Sequence, residues 1–233
     1  LLDKMALDRN PRNFKSALLN RTPAIIAETK KASPSAGIIV PDYDPAQIAA
    51  LYERGGAAAI SVLTEDEYFM GRIEDLKLVR DAVSLPLLRK DFICNIYQIH
   101  EAAAFGADVV LLIAAALTPE EMAMLYKEAV SLNLDVIIET HSVQEIKEAL
   151  KFEQAIIGVN SRNLKTLKTD ISIALNLASC IPGDRLYIAE SGIKTADDIQ
   201  KLLKVGYKGF LIGESLLRSH DIISALSSFL NIA

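Results

Sequence analysis

Five short apolar stretches of the chain end in polar groups, most of them able to give or take a proton. IIAETK carries Glu28 and Lys30, LLRKDF carries Lys90, IIET carries Glu139, GVNSRN carries Asn160, and IAESG carries Glu190 followed by Ser191. A lysine ammonium can hand a proton to an oxygen that is gaining negative charge, and a nearby carboxylate can steady a developing cation or collect a proton. Taken singly, a Lys or Glu at the end of an apolar run is more often a solvated or ion-paired surface group. Their recurrence at the same end of successive runs points to a shared site, because unrelated surface groups need no common end. Side chains alternate faces along a strand, so Glu28 and Lys30 share a face with Ile26, while Thr29 points the other way with Ala27. Lys30 and Lys90 in one pocket would lower each other's proton affinity and the glutamates would raise it, so these residues alone leave the net direction open.

A second chemistry lies downstream. Ser191-Gly192-Ile193 and Gly213-Glu214-Ser215 put glycines where backbone N–H groups can approach a ligand closely, and GESLLRS reads as the start of a short extra helix. In a parallel barrel, the turns after the last two strands and such a helix N-terminus form a phosphate cradle. The competing reading is that these glycines only serve tight turns. Cys94 and Cys180 form no close-spaced pair and the three histidines are scattered, so no metal site is expected.

These groups need a scaffold that gathers several strand ends. The apolar runs predict strands at Ile25–Lys30, Ala58–Thr64, Pro86–Phe92, Val109–Ala114, Asp135–Thr140, Ala155–Ser161, Arg185–Ser191 and Gly209–Gly213. Helical patterns fill the gaps, from PAQIAALYERGG to HDIISALSSFL. Thr118-Pro119-Glu120-Glu121 offers an N-cap, a proline at the first helical position and early carboxylates. Gly56, Gly106 and Gly206 follow helical patterns, where a left-handed residue is needed. Nearly all-apolar strands separated by helices imply a parallel sheet covered on its faces. Eight such units in 233 residues favour an α/β fold of the closed (β/α)8 TIM-barrel type. Strand order is invisible at this level, so an open doubly wound sheet stands as the alternative. No linker divides the chain, and one domain over 1–233 is expected, with an N-terminal cap segment at 1–22 and the barrel at 23–233.

Composition narrows the partners. A hydrophobic content of 51% suits a buried globular core, and a net charge of -5 argues against a nucleic-acid binder. The longest apolar run, VVLLIAAAL from Val109, falls short of the roughly 20 residues that span a bilayer. The opening LLDKMALDRNPRNFK lacks the apolar centre of a leader peptide. A soluble, cytoplasmic protein with reduced cysteines is expected, with neither nucleic acid nor membrane as partner.

In order along the chain, IIAETKKASPSAG, LTEDEYFMG, LRKDFI, GADVVLLI, GVNSRNL, AESGI and LIGESL resemble the indole-3-glycerol-phosphate synthase family, from about Pro23 to Arg218. AExKxxSPS and LRKDFI are specific to it, whereas AESGI and GES occur in several phosphate-binding barrels. The resemblance implies conversion of 1-(2-carboxyphenylamino)-1-deoxyribulose 5-phosphate to indole-3-glycerol phosphate, with loss of carbon dioxide and water and with no metal or organic cofactor. It implies Lys90 as the general acid and Glu139 as the group that steadies the cationic intermediate. Glu28 and Lys30 then serve the dehydration, with the order of acid and base open. Asn160 positions the anthranilate part, and Glu190 is a supporting polar group.

For the phosphate, the resemblance implies Ser33, Arg162, Ser191, Gly192, Gly213, Glu214 and Ser215, where Arg162 can offer a forked pair of hydrogen bonds. Phe69, Phe92, Leu111 and Leu164 are the implied walls of the aromatic pocket, although Phe92 and Leu111 fit ordinary core packing equally well. The expected assembly is a monomer or weak homo-oligomer, or part of a fused enzyme. Two departures stand out. Thr29 replaces a more usual aliphatic residue, on a face turned away from the site. The region before the first strand is also shorter than the family's mouth-covering segment, so either the cap is reduced or a stretch is absent from this sequence; substrate affinity is the property this bears on. Two rivals predict different behaviour: a non-catalytic phosphate-binding barrel would bind without turnover, and a Schiff-base aldolase would use Lys90 or Lys30 as a nucleophile.

Overall fold

A computed structural model describes residues 10–163 and 166–231. Among the described residues, eight parallel strands form one closed barrel: β1 (Ala24–Thr29), β2 (Ala59–Leu63), β3 (Leu87–Lys90), β4 (Val109–Ile113), β5 (Asp135–Thr140), β6 (Ile156–Asn160), β7 (Tyr187–Glu190) and β8 (Gly209–Ile212). Neighbours in the chain are neighbours in the barrel, and β1 closes it by pairing with both β2 and β8. Closure removes the open-sheet alternative.

Alternation along each strand sorts the side chains into two layers. Ala24 and Ile26 point inward, where they meet Leu88, Val109, Leu111, Ile137, Ile156, Ile188 and Leu211. Ile25 and Ala27 point outward into the layer shared with the helices. Thr29 belongs to that outward face and donates to the Tyr43 hydroxyl at 2.9 Å, as its position in the strand predicts.

The helices are α1 (Phe14–Leu19), α2 (Pro45–Arg54), α3 (Ile73–Ala82), α4 (Ile96–Ala104), α5 (Pro119–Ser131), α6 (Val143–Ala149), α7 (Ser172–Leu177), α8 (Ala196–Lys204), α9 (Glu214–Leu217) and α10 (Ile222–Leu230). Their starts follow local chemistry. Thr118 caps α5 and exchanges hydrogen bonds with Glu121, and Asn95 with Gln98 does the same for α4. Gly56, Gly106 and Gly206 end their helices at φ of +94°, +97° and +104°, a conformation that costs glycine little.

The observed strands are trimmed relative to the sequence-based expectation. The run Pro86–Phe92 yields only Leu87–Lys90, because Asp91 turns away to accept from Thr64 Oγ1 at 2.6 Å and Arg89 Nη2 at 2.9 Å. Arg185 precedes β7 because its guanidinium donates to three carbonyls, those of Leu150, Phe152 and Ala155. Two elements carried no clear sequence signal: a small hairpin pairing Ala32–Ser33 with Gly37–Ile38 after β1, and α1.

Of the expected cap segment, the structure describes residues 10–22. Its helix α1 sits at the N-terminal end of the barrel. Phe14 and Leu18 join the inner cluster beside Ala24 and Ala58, and Leu18 lies against Gly209 where β8 begins. Asp108 secures this end by accepting from the Arg12 backbone N–H at 2.7 Å, from Arg80 Nη1 at 2.7 Å and from the Leu87 N–H at 2.9 Å. No helix among the described residues is long and apolar enough to cross a membrane.

Candidate active site

The opposite end of the barrel opens into a cavity of about 940 Å³. Its floor is the last inward-facing layer of the strands: Glu28 from β1, Lys90 from β3, Glu139 from β5, Asn160 from β6 and Glu190 from β7. Lys30, just past β1, also faces in and pairs with Glu28 Oε1. All six polar residues picked from strand ends therefore share one cavity.

At its centre, Lys90 Nζ donates to Glu139 Oε2 at 2.9 Å and to Glu190 Oε2 at 2.7 Å. Burial alone would lower the lysine's proton affinity, but the charges of Glu139, Glu190 and Glu28 outweigh it and hold the ammonium above lysine's ordinary value. The direction left open by the residue types is thus decided by two direct contacts. The two carboxylates fare differently. Burial would raise Glu139, yet Lys90 and His141 keep it below the usual carboxylate range. Glu190 is pushed up to about 7 by burial, helped by repulsion from Glu139 and Glu28, which the attraction of Lys90 only partly offsets. One ammonium cannot fully neutralise two buried carboxylates.

Backbone features make room for these side chains. A Cβ on Gly158 would lie 2.3 Å from Glu190 Oε1, and one on Gly213 would lie 2.6 Å from Glu28 Oε1. Gly213 therefore has a reason beyond ligand approach: it clears space for a carboxylate. The strand carrying Lys90 is anchored from behind by Arg89, which donates to the Gln98 carbonyl at 2.8 Å and pairs with Asp91 and with Glu101 at 2.8 Å. The Tyr52 hydroxyl donates to the Glu28 carbonyl at 2.9 Å and anchors β1 in the same way.

The expected phosphate groups gather on one side of the mouth. Ser33, Arg162, Ser191, Gly192, Gly213, Glu214 and Ser215 all line the cavity. Ser191 and Gly192 both adopt positive φ, +65° and +79°, which forms a sharp turn after β7. Ser215 Oγ donates to the Ile193 carbonyl at 3.3 Å and ties that turn to the start of α9. Arg162 Nη1 donates to Ser35 Oγ at 3.3 Å and to the Leu167 carbonyl at 2.9 Å, linking the loops after β1 and β6.

Across the mouth lie Phe69, Phe92 and Leu111. Leu111 is also part of the inner core, whereas Phe92 is 51% exposed, so core packing does not account for its position. The fourth expected wall residue, Leu164, lies outside the described residues. Sequence reasoning missed Glu65. Its carboxylate accepts from the backbone N–H groups of Glu67, Tyr68 and Phe69 at 3.1, 2.8 and 3.1 Å, and so shapes the loop that presents Phe69. The only available signal was an acidic residue a few positions before a tight turn, too common to single out. His141, behind Glu139, was missed as well.

Comparisons with known proteins agree with this geometry. The family model described as indole-3-glycerol phosphate synthase matches residues 1–229. A relative from Desulfosudis oleivorans bearing that name is 46% identical over 234 residues, covering 98% of this chain and 89% of the relative. Another of that name, from Aliarcobacter butzleri, is 48% identical over 207 residues, covering 89% of this chain and 79% of its own length. Among solved structures, a mutant tryptophan synthase alpha-subunit from Pyrococcus furiosus superposes with a TM-score of 0.70 at 14% identity, over 90% of this chain and 98% of that one. Thiamine phosphate pyrophosphorylase from Pyrococcus furiosus gives a TM-score of 0.65 at 16% identity, over 92% and 96%. At such identities these two speak to the barrel fold alone.

Proposed function

This chain belongs to the indole-3-glycerol phosphate synthase family, and from that premise we propose how its residues divide the work. The reaction is that of a carboxy-lyase of tryptophan biosynthesis. It closes the indole ring of a small phosphorylated substrate, 1-(2-carboxyphenylamino)-1-deoxyribulose 5-phosphate, with loss of carbon dioxide and water. The observation that carries the residue assignment is the Lys90 ammonium held between Glu139 and Glu190 on the cavity floor.

In this reading Lys90 gives its proton to the ribulose carbonyl oxygen as the ring carbon bearing the carboxylate attacks the carbonyl carbon. Glu139, kept ionised, faces the cationic nitrogen centre that results, and loss of carbon dioxide returns the electron pair to the ring. The Lys30–Glu28 pair then serves the dehydration, the ammonium able to donate to the departing hydroxyl and the carboxylate to accept a proton. Asn160 orients the anthranilate part, and Glu190 keeps Lys90 in place. Phosphate is held by Ser33, Arg162 and the turns at Ser191-Gly192 and Gly213-Glu214-Ser215, with Phe69, Phe92, Leu111 and Leu164 around the aromatic ring.

A Schiff-base aldolase with Lys90 as nucleophile is disfavoured, because its nitrogen rests as an ammonium donating to Glu139 and Glu190 and has no free lone pair to add to a carbonyl. The eight strands close into one barrel, which supports a single barrel domain over 1–233; the assembly this reading takes is a monomer or weak homo-oligomer, or part of a fused enzyme. An exposed free thiol at Cys94 favours a reducing, cytoplasmic setting.

The test is fluorescence-detected formation of indole-3-glycerol phosphate by the purified chain. Lys90→Met is expected to lower kcat by about 10²–10⁴-fold, the usual worth of a positioned general acid, with little change in KM. Near-normal turnover in that variant would remove Lys90 from the role.

A further inference from the structure

Behind the cavity floor stands an imidazole that touches no part of the cavity surface. His141 follows the last residue of β5, and its buried Nε2 lies 3.4 Å from Glu139 Oε1, at ion-pair distance, and makes no hydrogen bond among the described residues. That is the oxygen Lys90 leaves free, since its ammonium binds Oε2. On the other side of the ring, Nδ1 lies 3.4 Å from Glu145 Oε2, and the same carboxylate oxygen accepts the His141 backbone N–H at 2.8 Å. Glu145 is fixed in turn by Ser142 Oγ at 3.0 Å, in the first turn of α6. Side-chain exposure rises outward along this line, from 4% at Glu139 to 14% at His141 and 25% at Glu145. The arrangement is a carboxylate, an imidazole and a second carboxylate, running from the reacting groups toward solvent.

We propose that His141 is a positioning residue for the ring closure: it holds Glu139 so that one carboxylate oxygen faces the substrate, and it keeps that carboxylate ionised after Lys90 has given up its proton. The inference rests on the assignment of Glu139 to the cationic intermediate. When Lys90 protonates the substrate oxygen it becomes a neutral amine, and Glu139 loses its main opposite charge at the moment the cation appears. A buried carboxylate without a partner is costly and tends to take up a proton. His141 supplies the second partner from behind, and Glu145 stands against its far nitrogen. The remaining polar and charged groups facing Glu139 are Lys90 from β3, Glu190 from β7 and Asn160 from β6, with Glu28 from β1 acting through Lys90. Only Lys90 and His141 among them lower its proton affinity through charge.

The test compares His141→Ala, His141→Gln, Glu139→Gln and the double variant His141→Ala/Glu139→Gln, by steady-state kinetics across the acid and neutral pH range. His141→Ala is expected to lower kcat roughly tenfold with KM changed less than about threefold, an effect typical of outer partners that orient a site ligand. The acid limb of its kcat profile should move to higher pH, because removing a positive neighbour raises the proton affinity of Glu139. His141→Gln keeps an N–H donor of similar reach, so it should recover kcat above the limb while the limb stays displaced. In the Glu139→Gln background the alanine change should have no further effect. An unshifted pH profile in both His141 variants, or an equal loss with and without Glu139, overturns the proposal while the role of Glu139 stands. Normal turnover in Glu139→Gln overturns both. Because the glutamine variant preserves side-chain volume, it decides the matter even if the alanine variant does not fold.

Discussion

Two carboxylates compete for the Lys90 ammonium, and the loser reports on the cluster. Glu139 keeps its charge, whereas Glu190 is pushed up to about 7 and its Oε1 has no hydrogen-bond partner among the described residues. A group whose proton affinity is raised in the folded state favours folding while both states are protonated, below the ordinary carboxylate value near 4.5. As pH climbs to about 7 the unfolded chain ionises first, and that contribution is lost. Glu190→Gln cannot ionise. Its stability relative to the parent chain is therefore expected to rise between those two pH values and then level off, by up to roughly 3 kcal/mol, since one unit is worth about 1.4 kcal/mol. Denaturant unfolding of both proteins over a pH series measures this. A difference that stays constant with pH would mean that folding leaves the proton affinity of Glu190 unchanged.

At the scale of elements, strand ends place the reactive groups and neighbouring strands leave space for them. Gly158 on β6 faces the Glu190 carboxylate, and Ile137 Cγ2 is 3.0 Å from where a Cβ would stand. Glu190 has little freedom to retreat, being buried and bound to Lys90. Gly158→Ala is expected to displace Glu190 and Lys90 and to lower kcat on the order of 10²-fold, the scale of loss for a misplacement near 1 Å. The overpacking should also cost about 1–3 kcal/mol of stability. Paired kinetic and unfolding measurements check both numbers, and a fully active variant would mean that the carboxylate has an alternative position.

Across the whole molecule the two ends of the barrel have separate duties. The C-terminal end holds the cavity, while the N-terminal end is closed by Phe14 and Leu18 of α1 and secured by Asp108. Phe14 is fully buried, so Phe14→Ala should cost about 3–5 kcal/mol of stability. Because its contacts lie at the far end from Lys90, kcat and KM measured well below the unfolding temperature should stay within about twofold. A marked fall in kcat would show that the plug is coupled to the site.

Residue order alone was enough for the eight strands and their helices, because hydrophobic periodicity and capping chemistry act within a few residues. It was also enough to mark Glu28, Lys30, Lys90, Glu139, Asn160 and Glu190, since alternation along a strand decides which side chains face inward. Only the closed barrel settled which of these groups touch. The ion pairs of Lys90 with Glu139 and Glu190 span 49 and 100 residues. Nothing local in the chain encodes the distances that set its charge. Glu65 and His141 were illegible for the same reason: their types are common, and their significance comes from what the fold sets beside them. Electrostatic coupling falls off with distance in space, so the direction of each shift belonged to the tertiary structure.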